Sequence, residues 1–184
     1  IVDKTNVIIP ESQALFVDKG VKIKLGKSRS IEIHGYLDIL GTSQDPVVLT
    51  SLQDDTVCGV GAFNEPVCDS NNDGDATTPV MGDWGNIQFH PESNDDSQVT
   101  RAVVRYSGSV SGFQIRDGAI SLENASPSLA NISFSNNYVN GASLTTGIDW
   151  FSDSWESSSV IYVLDKLDVT IPPDQTQIIA AGSK

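Results

Sequence analysis

Apolar residues in this chain alternate with polar ones over short spans: Val7-Ile9, Leu15-Val17, Val21-Ile23-Leu25, Ile31-Ile33, Leu37-Ile39, Val47-Leu49 and Ile87-Phe89. A period of two puts successive side chains on opposite faces of an extended backbone, so each span reads as a β-strand with one face buried. Gly20, Gly26, Gly35 and Gly41 punctuate the series, and no stretch of useful length carries helical spacing. The pattern resumes after the loop at 51–83 through Val99, Ala102 to Tyr106, Ile120-Leu122, Ile132-Phe134, Val160 to Leu164, Val169-Ile171 and Ile178-Ile179. The chain is therefore expected to be all-β.

How the strands connect is the next constraint. Asp73-Gly74, Asp117-Gly118 and Asn140-Gly141 are the only tight-hairpin pairs, fewer than an up-and-down barrel or sandwich would want. Single glycines and short Asn/Ser/Asp clusters suit a right-handed parallel β-helix, in which the chain winds in coils and each strand stacks on the one below. Ser133, Ser135, Asn136 and Asn137 are the residue types that stack at its corners. The expectation is one such solenoid over residues 1–184, about seven coils and roughly 33 Å long at the interstrand spacing of about 4.8 Å. Pattern alone leaves a β-sandwich as the alternative. With 184 residues and 39% hydrophobic content, one domain with a sizeable core is expected.

Residues 51–83 interrupt the strands. They carry Asp54, Asp55, Glu65, Asp69, Asp73, Asp75 and Asp83 with no Lys or Arg, and a cluster of like charge stays ordered only if something neutralises it. Within it, Asp69-Ser70-Asn71-Asn72-Asp73-Gly74-Asp75 matches the first half of a calcium loop, with oxygen donors at places one, three and five and a glycine at six. The expected calcium ligands are Asp69, Asn71, Asp73, Asp75 and Asp83. Val80 stands at the twelfth place, so a closing ligand has to come from Asp54, Asp55, Glu65 or Asp83. Cys58 and Cys68 are expected to form a disulfide, worth roughly 3 kcal/mol by loop-closure entropy. His34 and His90, remote in sequence, complete no tetrahedral zinc set with them. A disulfide and calcium together point to an extracellular or cell-surface location.

The formal charge of −13 argues against nucleic acid as a partner, and no apolar run approaches the roughly 20 residues that cross a bilayer. A chain that begins at Ile1 without methionine is expected to be a processed product or an excised module. Asp3 to Gly20 recurs as Asp165 to Gly182, with seven of eighteen aligned positions identical and both Pro and Gly in register. The segment 165–184 thus repeats the N-terminal coil 3–20, giving the two ends related edges. Uncapped edges recruit further strands, so head-to-tail self-association, between copies or between tandem neighbours, is expected.

Several stretches resemble the secreted and cell-surface bacterial right-handed parallel β-helix repeat proteins. They are Tyr162-Val163-Leu164 with Val169-Thr170-Ile171-Pro172, the N-terminal segment through Gly20-Val21-Lys22-Ile23, the run from Gly35 through Gly41-Thr42 to Asp45-Pro46-Val47 and Thr50-Ser51, and Gly82-Asp83-Trp84-Gly85-Asn86-Ile87. Asn86 stands where a second glycine is usual in that family. The resemblance implies a surface-exposed module that is more often non-catalytic than enzymatic, and a core role for Trp84.

An enzyme, polysaccharide lyase or glycoside hydrolase, is the lesser alternative. It would need opposed carboxylates, or calcium beside a base. Arg101, Arg105 and Arg116 are the nearest bases, and they read as partners of surface acids. Trp150 and Trp155 form a candidate glycan platform, which makes a polysaccharide a candidate partner. Asn124 and Asn131 sit in glycosylation sequons.

Overall fold

A computed structural model describes residues 1–108, 118–145 and 160–164, together with the backbone of 154–155 and 178–179. It is all-β, with no helix among the described residues. The chain makes repeated passes through the same three sheets. The first pass contributes β1 (Val7–Ile9), β2 (Ala14–Asp18) and β3 (Lys22–Leu25). The second contributes β4 (Ile31–Ile33), β5 (Tyr36–Leu40) and β6 (Val47–Ser51). A short antiparallel hairpin, β7 (Gly59–Val60) and β8 (Pro66–Val67), follows inside the acidic loop. The third pass is β9 (Ile87–Phe89), β10 (Gln98–Thr100) and β11 (Ala102–Arg105), and the fourth is β12 (Ile120–Leu122), β13 (Ser128–Ala130) and β14 (Ser133–Ser135). Then come β15 (Ala142–Leu144), β16 (Ser154–Trp155), β17 (Tyr162–Val163) and β18 (Ile178–Ile179).

Strands of equivalent position in successive passes pair in parallel, giving sheets of order β1-β4-β9-β12-β15-β17, β2-β5-β10-β13 and β3-β6-β11-β14. A further parallel pair joins β16 to β18. Parallel pairing dominates, and β7–β8 is the one antiparallel pair among the described residues; the facing antiparallel layers of a sandwich do not form there. Among the described residues the longest sheet stacks six strands, which span about 24 Å from first to last at the interstrand spacing of about 4.8 Å.

Register explains the core. Val7, Ile31, Ile87, Ile120 and Ala142 stack in one row, and Ile9, Ile33, Phe89, Leu122 and Leu144 in another. Val17, Ile39, Val99 and Leu129 form the row in the second sheet, and Ile23, Leu49, Val104 and Phe134 that in the third. These rows meet in one hydrophobic cluster that also takes in Trp84. Stacking like on like lets each pass bury its apolar face against the next, so no single pass needs a core of its own.

Polar corners close the turns. Tyr106 and Asn136 are both left-handed, at φ 65 and 55, one residue beyond the paired strands β11 and β14. Asn137, next in the chain, is buried; its Oδ1 accepts from the Ser107 amide and hydroxyl at 2.8 Å, and its Nδ2 donates to the Val104 carbonyl at 2.9 Å. Asparagine recurs at these corners because its side chain replaces the backbone partners that the turn removes.

Candidate functional site

The acidic loop lies on the outer face of the third sheet, and the register shows what holds it. Lys24 on β3 pairs with Thr50 on β6, and Arg105 is the next position of β11 along that row. Asp54 is buried above it. The Arg105 guanidinium approaches Asp54 Oδ2 at 2.7 Å and donates to Thr56 Oγ1 at 2.8 Å, while the hydroxyls of Thr50 and Thr56 both donate to the Asp54 carboxylate. Burial pushes the Asp54 carboxyl up, but the two threonine hydroxyls and then Arg105 outweigh it, so the group ionises below its ordinary range. Asp55 lies 3.9 Å from Lys24, whose ammonium also donates to the Cys68 carbonyl. Burial holds the Lys24 pKa below its ordinary value despite the nearby carboxylates.

The loop therefore has countercharges that its own sequence lacks. Lys24 and Arg105 supply them from strands in different passes, a juxtaposition invisible in the linear chain. Arg105 pairs with a buried acid, where sequence reasoning placed it beside surface acids.

Cys58 and Cys68 form the expected disulfide, and it closes the base of the β7–β8 hairpin. Immediately after it, Asp69 folds the calcium-like segment. Its carboxylate accepts from the Asp73 amide at 3.2 Å and the Gly74 amide at 2.9 Å, with Gly74 at φ 64. The Gly74 amide is the main reason the Asp69 carboxyl is held low. Asn71 donates to Asp73 Oδ2 at 2.7 Å and to Thr77 at 3.1 Å. Asp55, Asp69 and Asp73 each bring a carboxylate oxygen within 4.8 Å of the other two. Buried Oδ1 atoms of Asp55, Asn71 and Asp73 have no hydrogen-bond partner. Burial first, and then Asp69 and Asp73 against the pull of Lys24, raise the Asp55 carboxyl.

Of the ligands expected from sequence, Asp69 and Asp73 lie in this group, and Asn71 hydrogen-bonds to Asp73. Asp75 is exposed and outside it. Asp83 is buried at the loop's return, where Oδ2 accepts from Ser51 Oγ at 2.8 Å and from the Val80 amide at 3.0 Å. Among the open candidates for a closing ligand, Asp55 is the acid that joins the group, while the Glu65 carboxylate accepts from the Phe63 amide instead.

Trp84 is fully buried and donates to the Arg105 carbonyl at 2.8 Å, the core role expected of it. Trp150 lies outside the described residues, as does the Trp155 side chain, and so does most of the 165–184 repeat. His34 and His90, set apart in sequence, stack with ring centroids 4.1 Å apart and planes inclined by 4°. Strand register brings them together, since His34 follows Ile33 and His90 follows Phe89 in a paired row. No known family profile, curated protein or solved structure matches the chain.

Proposed function

We propose that the chain is a non-catalytic extracellular structural module, a right-handed parallel β-helix that joins head to tail with further copies or tandem neighbours. The observation carrying this reading is the change in coverage between the first and second passes. Val7, Leu15 and Ile23 are half-buried, whereas Ile31, Leu37 and Leu49, stacked directly on them, are sealed from solvent. Strands β1, β2 and β3 all lie at the same outer edge of their sheets, and Val2 covers part of that edge through a single bridge to Leu25. The resulting groove is lined by Val2, Val7, Leu15, Phe16, Ile23 and Ile31.

A further pass of strands is the natural complement of such an end, because it would satisfy the edge backbone and cover the half-exposed side chains together. The recurrence of residues 3–20 at 165–184 supports the same lattice at the other end. Contact between unlike ends does not close on itself, so it propagates as a linear array.

Calcium belongs to this reading as a stiffener of the flank, held by Asp55, Asp69 and Asp73 with Asn71 Oδ1. The unpartnered buried oxygens and the mutual repulsion of the three acids support it. Lys24 already neutralises one of these charges, so affinity in the extracellular, millimolar class is expected. The disulfide supports an oxidising compartment.

The test is sedimentation velocity over a wide concentration range with millimolar calcium. Stacking predicts a sedimentation coefficient that grows with concentration and is held back by Ile8→Lys with Phe16→Lys at the exposed rim. A strict monomer throughout would sink the proposal for association between copies.

A further inference from the structure

We propose a transition-metal site of the zinc class, formed by Glu32, His34 and His90 and separate from the acidic loop. These three side chains each bring a ligand atom within 4.8 Å of the others. Strand pairing builds the set: Glu32 and His34 are two apart around β4, so they share its outer face, and His90 stacks on His34 from the next pass.

The outer hydrogen bonds prepare both imidazoles as ligands. His34 Nδ1 lies 2.5 Å from Glu92 Oε1, and His90 Nδ1 lies 2.9 Å from Glu123 Oε2. A carboxylate at Nδ1 holds the proton there and leaves the lone pair on Nε2, the arrangement found behind metal-bound histidines. His90 Nε2 is buried without a hydrogen-bond partner, which is costly for a polar nitrogen and is relieved by a ligand bond. Glu123 is itself oriented by Gln88, which donates to its Oε1 at 2.9 Å, and Glu32 is oriented by Asn6.

Charge and geometry agree on the ligand. Glu32, Glu92 and Glu123 surround two imidazoles, and a divalent cation offsets that excess. Two imidazole nitrogens and one carboxylate are the borderline donors that zinc or copper(II) accepts, where calcium prefers oxygen alone. Metal–nitrogen bonds of about 2.0–2.1 Å place two such nitrogens roughly 3.4 Å apart in a tetrahedral site. The rings lie parallel and 4.1 Å apart, so to share one ion each turns by roughly 50° about its Cβ–Cγ bond, which brings the two Nε2 lone pairs together. Three protein ligands leave a fourth position for water, and a groove lined by Glu11, Gln13, His34, Tyr36, Glu92 and Asn94 gives solvent a path to His34.

The experiment is zinc titration calorimetry on the full chain in excess calcium, paired with copper(II) electron paramagnetic resonance. One zinc per chain is expected, with affinity falling at least 100-fold in His90→Gln and in His34→Gln, and 10- to 100-fold in Glu123→Gln. Circular dichroism reports whether each variant folds. Should the histidine variants fail to fold, the wild-type copper spectrum decides: coupling to two nitrogens upholds the site. Oxygen-only coupling, or zinc binding unchanged in His90→Gln, overturns it.

Discussion

Replacing Asp54 by alanine removes the acid on which the loop is seated. Four groups then lose an acceptor: the Arg105 guanidinium, which keeps its bond to Thr56 Oγ1, the hydroxyls of Thr50 and Thr56, and the Thr56 amide, which donates at 3.2 Å. Breaking a buried pair from one side costs about 3–5 kcal/mol. Arg105 retains 23% side-chain exposure and regains some water, so the lower end, about 3 kcal/mol, is expected. For a chain of this length that corresponds to a fall in melting temperature of about 6–12 °C. Urea unfolding of wild type, Asp54→Ala, Arg105→Met and the double variant gives the coupling directly. The pH dependence supplies a second check. Asp54 ionises below its ordinary value of 3.8 when folded, so its contribution is complete above the unfolded pKa and disappears as pH falls through the folded one. The gap between wild type and Asp54→Ala is therefore constant near neutrality and closes below about pH 4. A loss under about 1 kcal/mol, the size of a surface pair, would refute the claim that this carboxylate anchors the loop.

Calcium at about a hundred times its dissociation constant is expected to stabilise the fold by about 2.7 kcal/mol; a melting point unmoved by chelator, or moved equally in Asp55→Asn with Asp69→Asn, removes the loop site. Reduction of Cys58–Cys68 is expected to cost roughly 3 kcal/mol and to open residues 58–68 to protease first, so an unchanged digestion pattern contradicts its role in fixing the hairpin. Asn137→Ala is expected to cost about 2–3 kcal/mol, because it strands the Ser107 amide and the Val104 carbonyl in the interior; urea unfolding within about 0.5 kcal/mol of wild type would show that water takes its place.

Period-two patterning made the strands legible, because stacked parallel strands with one inward face write that period directly into the chain. The disulfide was legible from proximity, and two of the three acids of the group from the spacing of Asp69, Asp73 and Gly74. What remained hidden depends on register between passes. Lys24 meets Asp55, and Arg105 meets Asp54, only once β3, β6 and β11 are aligned. His34 and His90 meet only through the pairing of β4 with β9. Two-sided burial also blurs the pattern: in β12 and β15 every residue is buried, Ser121 and Ser143 included, so polarity there does not mark a solvent-facing position.

The bond between Ser51 and Asp83 ties the departure of the long excursion to its return. Residues 52–82 thus leave and return through one closed neck, and Asp54, Asp55 and Cys68 tie the excursion to Arg105 and Lys24, while β6 and β9 on either side keep their own partners in the stack. Beyond these anchors the hairpin tip is exchangeable: a foreign sequence in place of residues 60–66, most of which face solvent, would leave the underlying lattice undisturbed, giving the surface one place where novelty is tolerated cheaply.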